Sequence, residues 1–275
     1  MRIRTWVLAA AVTVASSSVS MAQLTGKVSF EGEAPEPKEI DMSGVVQCAQ
    51  QHADPVYDES LFVGEGGELA NVVVSIKQED SPDLEGEQIT TPAVLDQKGC
   101  MYTPRVIAMM AGQPLVVKNS DPFLHNVHSL AEINPNFNFG QPNVDPGKKV
   151  ESPKAKEYFR VKCDVHPWMS AYIAVFEHPF FAVTGEDGKF AIKDLPDGDY
   201  TVVLWHEKLG TKEEQVTITD GKGELDVSFG AAGAAAPAGT DVVLASTSGE
   251  QSKGDCGTSA CCQAKPAAKT ASAAE

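Results

Sequence analysis

Cys163-Asp164-Val165-His166-Pro167-Trp168-Met169 places a thiol, an imidazole and a thioether within seven consecutive residues, in the spacing C-x2-H-x2-M. The chain has six Cys, six His and seven Met among 275 residues, so their clustering here calls for a chemical reading. Runs of β character flank the motif, Tyr158–Lys162 before it and Ala171–Phe176 after it, which makes it a tight loop between strands. The soft sulfurs favour Cu(I), and imidazole serves both copper oxidation states. A mononuclear copper site of this donor type takes two His, one Cys and a weak axial Met, and the loop carries all of these but one His.

The missing imidazole has a candidate upstream. Pro122-Phe123-Leu124-His125-Asn126-Val127-His128 follows the β-like run Pro114–Lys118, and His125 stands 38 residues before Cys163. Here the chain resembles the cupredoxins, with the short loop spacing of the amicyanin-like members. Their upstream strand carries a His-Asn pair whose His is a ligand. The resemblance covers roughly Thr103 to Glu177. It implies one type 1 copper held by His125, Cys163, His166 and Met169, with Asn126 hydrogen-bonding to the copper loop and tuning the thiolate. It also implies that His166 lies at the surface as the electron port, in an apolar patch with Pro122, Phe123, Pro167 and Trp168. His128 is the rival for His125. An odd spacing in a strand puts the two on opposite faces, which leaves His128 as a packed or partly exposed side chain. The segments 31–70 and 133–154 follow no cupredoxin pattern.

Around this region the chain reads as β throughout. Strand signals also occur at Thr25–Phe30, Asn71–Ile76, Arg105–Met110, Lys189–Ile192, Tyr200–Trp205, Gln215–Thr219 and Leu225–Phe229. Turns such as Glu186-Asp187-Gly188 and Pro196-Asp197-Gly198 separate them, and no long window has helical periodicity. The expected fold is all-β. Leu24–Phe30 and Asn71–Ile76 resemble the opening strands of a carboxypeptidase-regulatory-like, transthyretin-type sandwich. The matching second half comes about 100 residues later, at Val183–Phe190 and Leu195–Tyr200. The resulting expectation is a cupredoxin Greek-key sandwich (90–178) inserted into, or packed on, a second sandwich made of 23–80 and 179–229. A tandem order is the alternative.

Composition sets the setting. Hydrophobic residues make up 42% and charged residues 22%, enough to fold a sizeable core. Met1-Arg2-Ile3-Arg4, an apolar run to Ala15 and the exit Ser20-Met21-Ala22 read as a cleaved signal peptide, residues 1–22. The apolar run is about half of the roughly 20 residues a membrane span needs. The expected location is periplasmic or secreted, with no membrane span after cleavage. The formal charge is −16, and loss of Arg2 and Arg4 leaves 20 basic against 38 acidic residues, or −18. Such an excess argues against nucleic acid and anionic membranes as partners. It favours a redox protein with a basic surface, such as a c-type cytochrome or a periplasmic oxidoreductase.

The remaining candidates carry less. In an exported protein Cys48 and Cys100 pair most simply as a disulfide, with a C-x3-H metal site of Cys48 and His52, joined by Cys100, as the other reading. His178, His206 and Glu207 read as hydrogen-bonding groups between domains or as a second metal site. Residues 230–275 form an Ala/Gly/Ser tail expected to be disordered. Its Cys256, Cys261 and Cys262 are either a Cu(I) clip or incidental thiols. No nucleophilic triad or paired carboxylates stand out, so no catalytic residue is assigned and an enzyme is not expected. The functional expectation is single-electron transfer by a copper protein. A copper carrier or store, and a carbohydrate- or protein-binding sandwich with structural copper, are the alternatives.

Overall fold

Alternating burial along Lys189-Phe190-Ala191-Ile192-Lys193, with only Phe190 and Ile192 inside, shows how these strands form. One face meets a core and the other meets water. The computed structural model describes residues 23–81 and 83–230. The expected signal peptide and the tail cysteines Cys256, Cys261 and Cys262 lie outside the described residues. Gly230, expected to open the tail, closes the last strand, and the rest of the expected tail lies outside the described residues.

Strands are numbered in chain order. One sheet runs β13 (Lys189–Lys193), β1 (Gln23–Glu31), β16 (Lys222–Glu224), with β17 (Val227–Gly230) also pairing with β1. A second runs β12 (Phe181–Val183), β2 (Val73–Ile76), β14 (Gly198–His206), β15 (Gly210–Ile218). Both draw strands from the two ends of the chain. The middle of the chain supplies the other two sheets. One is β5 (Val106–Met110), β11 (Ser170–Phe176), β10 (Glu157–Lys162), β7 (His125–Ser129), β8 (Asn138–Gln141). The other is β4 (Met101–Thr103), β3 (Ala93–Lys98), β6 (Leu115–Asn119), β9 (Asp145–Val150). Among the described residues helix is confined to one turn, α1 (Val46–Ala49), and two short 3-10 segments. Among the described residues no helix is long and apolar enough to cross a membrane.

The protein is thus an all-β sandwich fold with separate hydrophobic clusters. Leu24, Val28 and Ile192 face Ile76, Val202 and Leu204 between the end-derived sheets. Leu95, Leu115 and Val117 face Val127, Phe159 and Ile173 between the middle sheets. A third cluster, Val73, Val106, Ala174 and Phe176, joins the two pairs. It explains why β11 is buried almost without alternation: both its faces are covered.

A polar contact crosses the same junction. Arg105 donates two hydrogen bonds to the Glu207 carboxylate, at 2.5 and 2.8 Å, and both side chains are nearly buried. Nearby, His206 is fully buried and its Nδ1 accepts from the Lys208 N–H at 3.2 Å. Burial, then the charges of Arg105 and Lys208, push its pKa down to about 4. His178 donates from Nε2 to the Ile76 carbonyl and accepts from the Phe180 N–H at Nδ1, which commits both ring nitrogens to backbone.

Removing one partner of the buried pair strands the other charge. Glu207→Ala should lower unfolding free energy by about 3–5 kcal/mol in a denaturant titration. The depressed pKa of His206 means that the folded state binds fewer protons than the unfolded chain between pH 6.5 and about 4. Its contribution is therefore full above pH 6.5 and is lost as pH falls through that window. The denaturation midpoint should drop on acidification, and less steeply in His206→Leu.

Candidate metal centre

Strand β7 and the loop between β10 and β11 build the site. Burial alternates along β7, placing His125, Val127 and Ser129 inside and Asn126 and His128 toward the rim. The loop turns tightly because the Met169 N–H donates to the His166 carbonyl at 3.0 Å and the Cys163 N–H donates to the Met169 carbonyl at 3.2 Å. Cys163, His166 and Met169 are all buried.

The donors converge. His125 Nδ1 lies 3.0 Å from His166 Nδ1, and Cys163 Sγ lies 3.7 Å from His166 Nδ1. These three ligand atoms fall within 4.8 Å of one another. Met169 shares the loop and its burial. Two backbone N–H groups, from Asn126 and His166, donate to Cys163 Sγ at 3.4 Å each. Both contacts hold the sulfur in place between β7 and the loop.

The histidines are set in ligating form. His125 Nε2 donates to Asp121 Oδ2 at 2.8 Å, leaving the Nδ1 lone pair turned to the cluster. Burial lowers the pKa of His125, against the opposing pull of Asp121. Burial first, and then the neighbouring His125, lowers that of His166. Both imidazoles are therefore neutral near pH 7. Two neutral imidazoles and a hydrogen-bonded sulfur suit copper, and Met169 supplies a further soft sulfur on the same loop.

Asn126 reaches across to the loop: its Oδ1 accepts from the Asp164 N–H at 3.1 Å, while its Nδ2 donates to Asn138 Oδ1 and the Phe139 carbonyl. His128 sits apart, partly exposed, with Nδ1 2.9 Å from Asp164 Oδ2.

His166 departs from the expected surface port. Only 3% of it is exposed. The Trp168 ring packs against it at 5.4 Å, and the sulfurs of Cys48 and Cys100 lie within 4.8 Å of a His166 ring nitrogen. Cys48 and Cys100 form a disulfide, and His52 bonds through Nε2 to the Gly99 carbonyl at 2.7 Å. Exposed apolar side chains nearby are Leu124, Val165 and Val46, with Pro122 and Pro167 also exposed and Phe123 half-buried. Pro167 and Trp168 also edge a cleft lined by Lys38, Arg105, Arg160 and Lys208 as well as by acids.

Sequence reasoning missed Asp121, Tyr102 and the indole of Trp168. Tyr102 donates to the Asn126 carbonyl at 2.6 Å, and the Trp168 Nε1–H donates to the Cys100 carbonyl at 3.0 Å. Asp121-Pro122 reads as an ordinary turn, and nothing in the local pattern says that its carboxylate turns inward.

No protein-family model and no curated protein matches the chain. Among solved structures it is similar to a Cu-containing nitrite reductase (NirK) from Thermus scotoductus SA-01, at 19% identity and a TM-score of 0.27. That match covers 34% of this chain and 24% of the reductase. A Cu(I) form of an amicyanin mutant is 18% identical at a TM-score of 0.28, covering 33% of this chain and 87% of that one. A purple cupredoxin from Nitrosopumilus maritimus is 18% identical at a TM-score of 0.25, covering 30% and 99%. The case for copper rests on the donor geometry, independent of these likenesses.

Asp121→Asn keeps the shape but replaces the carboxylate that holds the His125 ring. Copper affinity, read by competition with a chromophoric chelator, should fall about 10- to 100-fold.

Proposed function

We propose that the chain is an exported type 1 copper protein that passes single electrons between redox proteins, with His125, Cys163, His166 and Met169 as the copper ligands. The observation that carries this reading is the meeting of two Nδ1 atoms and one thiol sulfur in a buried, hydrogen-bonded cluster. Copper in such a site supplies a one-electron couple, Cu(I)/Cu(II).

The chain's own residues supply rigidity and exclusion of water. Asp121 fixes the His125 ring through Nε2, and Asn126 ties the loop backbone at Asp164. The two N–H donors on Cys163 Sγ draw charge from the sulfur and favour the lower oxidation state of a bound metal. Donors already in place move little when the charge changes by one, which keeps the cost of electron exchange small. Four ligands from the chain leave no position for a substrate, in keeping with a carrier of electrons and not an enzyme.

An electron would enter or leave near the exposed Leu124, Val165 and Pro167, past the Trp168 ring that covers His166. The overall charge of −16 suits a partner with a basic face, a c-type cytochrome or a periplasmic oxidoreductase.

Visible and EPR spectra of the Cu(II)-loaded protein test the assignment. An intense thiolate-to-copper band with narrow hyperfine splitting, absent in Cys163→Ser, is expected. A weak tetragonal spectrum that survives the substitution would remove Cys163 from the site. With the band present, failure of rapid electron exchange with cytochrome c would favour a copper carrier or store.

A further inference from the structure

His166 stands between two sulfur groups. Its Nδ1 faces Cys163 and His125, and one of its ring nitrogens lies within 4.8 Å of both Cys48 Sγ and Cys100 Sγ, which also lie within 4.8 Å of each other. All three residues are buried. The two cysteines form a disulfide. Thiols at those positions would offer two soft donors beside an imidazole.

The element that carries Cys48 has little hold of its own. α1 is a four-residue turn with no side-chain cap, and Val46 on it is 61% exposed. Helices this short are not stable alone. The surrounding segment closes on itself through backbone hydrogen bonds from Ile40 to Val56 and from Asp58 to Lys38. The disulfide and the His52–Gly99 hydrogen bond pin it to the turn between β3 and β4. Gly99 is left-handed (φ 62°), and a Cβ there would come within 3.0 Å of the His52 ring. On its other side Cys100 is held firmly, its N–H donating to Asp121 Oδ2 at 2.9 Å. One sulfur is thus mounted on a hairpin turn held by Asp121, and the other on a short segment whose Ile40, Met42, Val45 and Val56 pack on the core of the middle sheets.

We propose that two-electron reduction of the Cys48–Cys100 disulfide creates a second soft-metal site, formed by Cys48, Cys100 and His166, that takes Cu(I). An external dithiol supplies the two electrons and two protons. Its own sulfurs join in a disulfide as the Cys48–Cys100 bond breaks into two thiols. Cu(I) binding then releases both thiol protons to solvent. Two thiolates and an imidazole favour Cu(I) over Cu(II) and over hard cations. The oxidised pair has its sulfurs bonded to each other, and the reduced pair offers both to a metal beside His166. Only His166 is shared with the ligand set proposed above, so this site can be tested without Cys163.

The test uses the full chain carrying Cys163→Ser with Cys256→Ser, Cys261→Ser and Cys262→Ser, so that Cys48 and Cys100 are the cysteines left. Oxidised protein and protein treated anaerobically with a phosphine reductant, then desalted, are titrated with Cu(I) against bicinchoninate. The reduced form should retain one equivalent of Cu(I) with two sulfurs in the X-ray absorption spectrum, and the oxidised form should retain none. Adding His166→Ala should weaken the reduced form's binding by at least about tenfold. Equal binding by the oxidised and reduced forms would overturn the proposal. So would reduced-state binding unaffected by His166→Ala, which is also what an unfolded dithiol chain would give. Neither result depends on whether His125 and Cys163 hold copper in the unmodified protein.

Discussion

One carboxylate ties the site to the fold. Asp121 is buried; its Oδ1 accepts from the Gly99 N–H at 2.8 Å, and its Oδ2 accepts from the Cys100 N–H at 2.9 Å and from His125 Nε2 at 2.8 Å. The β3–β4 turn, the disulfide and the upstream histidine are therefore positioned by a single side chain. A buried carboxylate must find hydrogen-bond donors, and these three leave it little freedom. Asn119 extends the arrangement: its Oδ1 accepts from the Asp121 N–H, while its Nδ2 donates to the carbonyls of Phe123, Gln141 and Asn143. The metal centre is thus continuous with a polar network inside an otherwise apolar sandwich.

The sheets explain why that network can be rigid. β7 pairs with β8 from His125 to His128 and with β10 at His128 and Ser129, so His125 sits on a strand anchored to both neighbours. β10 and β11 pair over six residues and deliver the ends of the Cys163–Met169 loop in fixed register. Beneath them the core of Leu95, Val117, Phe159 and Ile173 is fully or nearly fully buried. The end-derived sheets pack against the opposite face of β11 through Ala174 and Phe176 and add the Arg105–Glu207 pair. These contacts back β11, the strand that follows the loop.

Much of this was legible from residue patterns, for reasons that differ by element. Each strand read from β-branched or alternating runs is present, because burial of an apolar face leaves a period-two trace. β3, β4, β8, β9, β12 and β16 were not read from the sequence. Asp145-Pro146-Gly147-Lys148-Lys149-Val150 is mostly exposed and is held by pairing with β6, not by its own pattern. The donor residues were visible because Cys, His and Met are scarce and their spacing is chemical. The pairing of Cys48 with Cys100 was one of two open readings, and the short Cα–Cα distance of 5.6 Å across a separation of 52 residues decides it. The burial of His166 was hidden, since the disulfide sulfurs beside it come from residues far away in the chain. Asp121, Asn119 and Gln97 were hidden too: polar residues inside a sandwich look like turn or surface residues until their partners are known.

The central claim is that His125, Cys163 and His166 hold one copper ion together. Crystals of the copper-loaded protein, measured on both sides of the copper absorption edge, test it directly. The account predicts a single anomalous peak per chain, within bonding distance of Cys163 Sγ and of the Nδ1 atoms of His125 and His166. A peak at His128 and Asp164, or in the cleft beside Trp168, with none between those three donors, would contradict it.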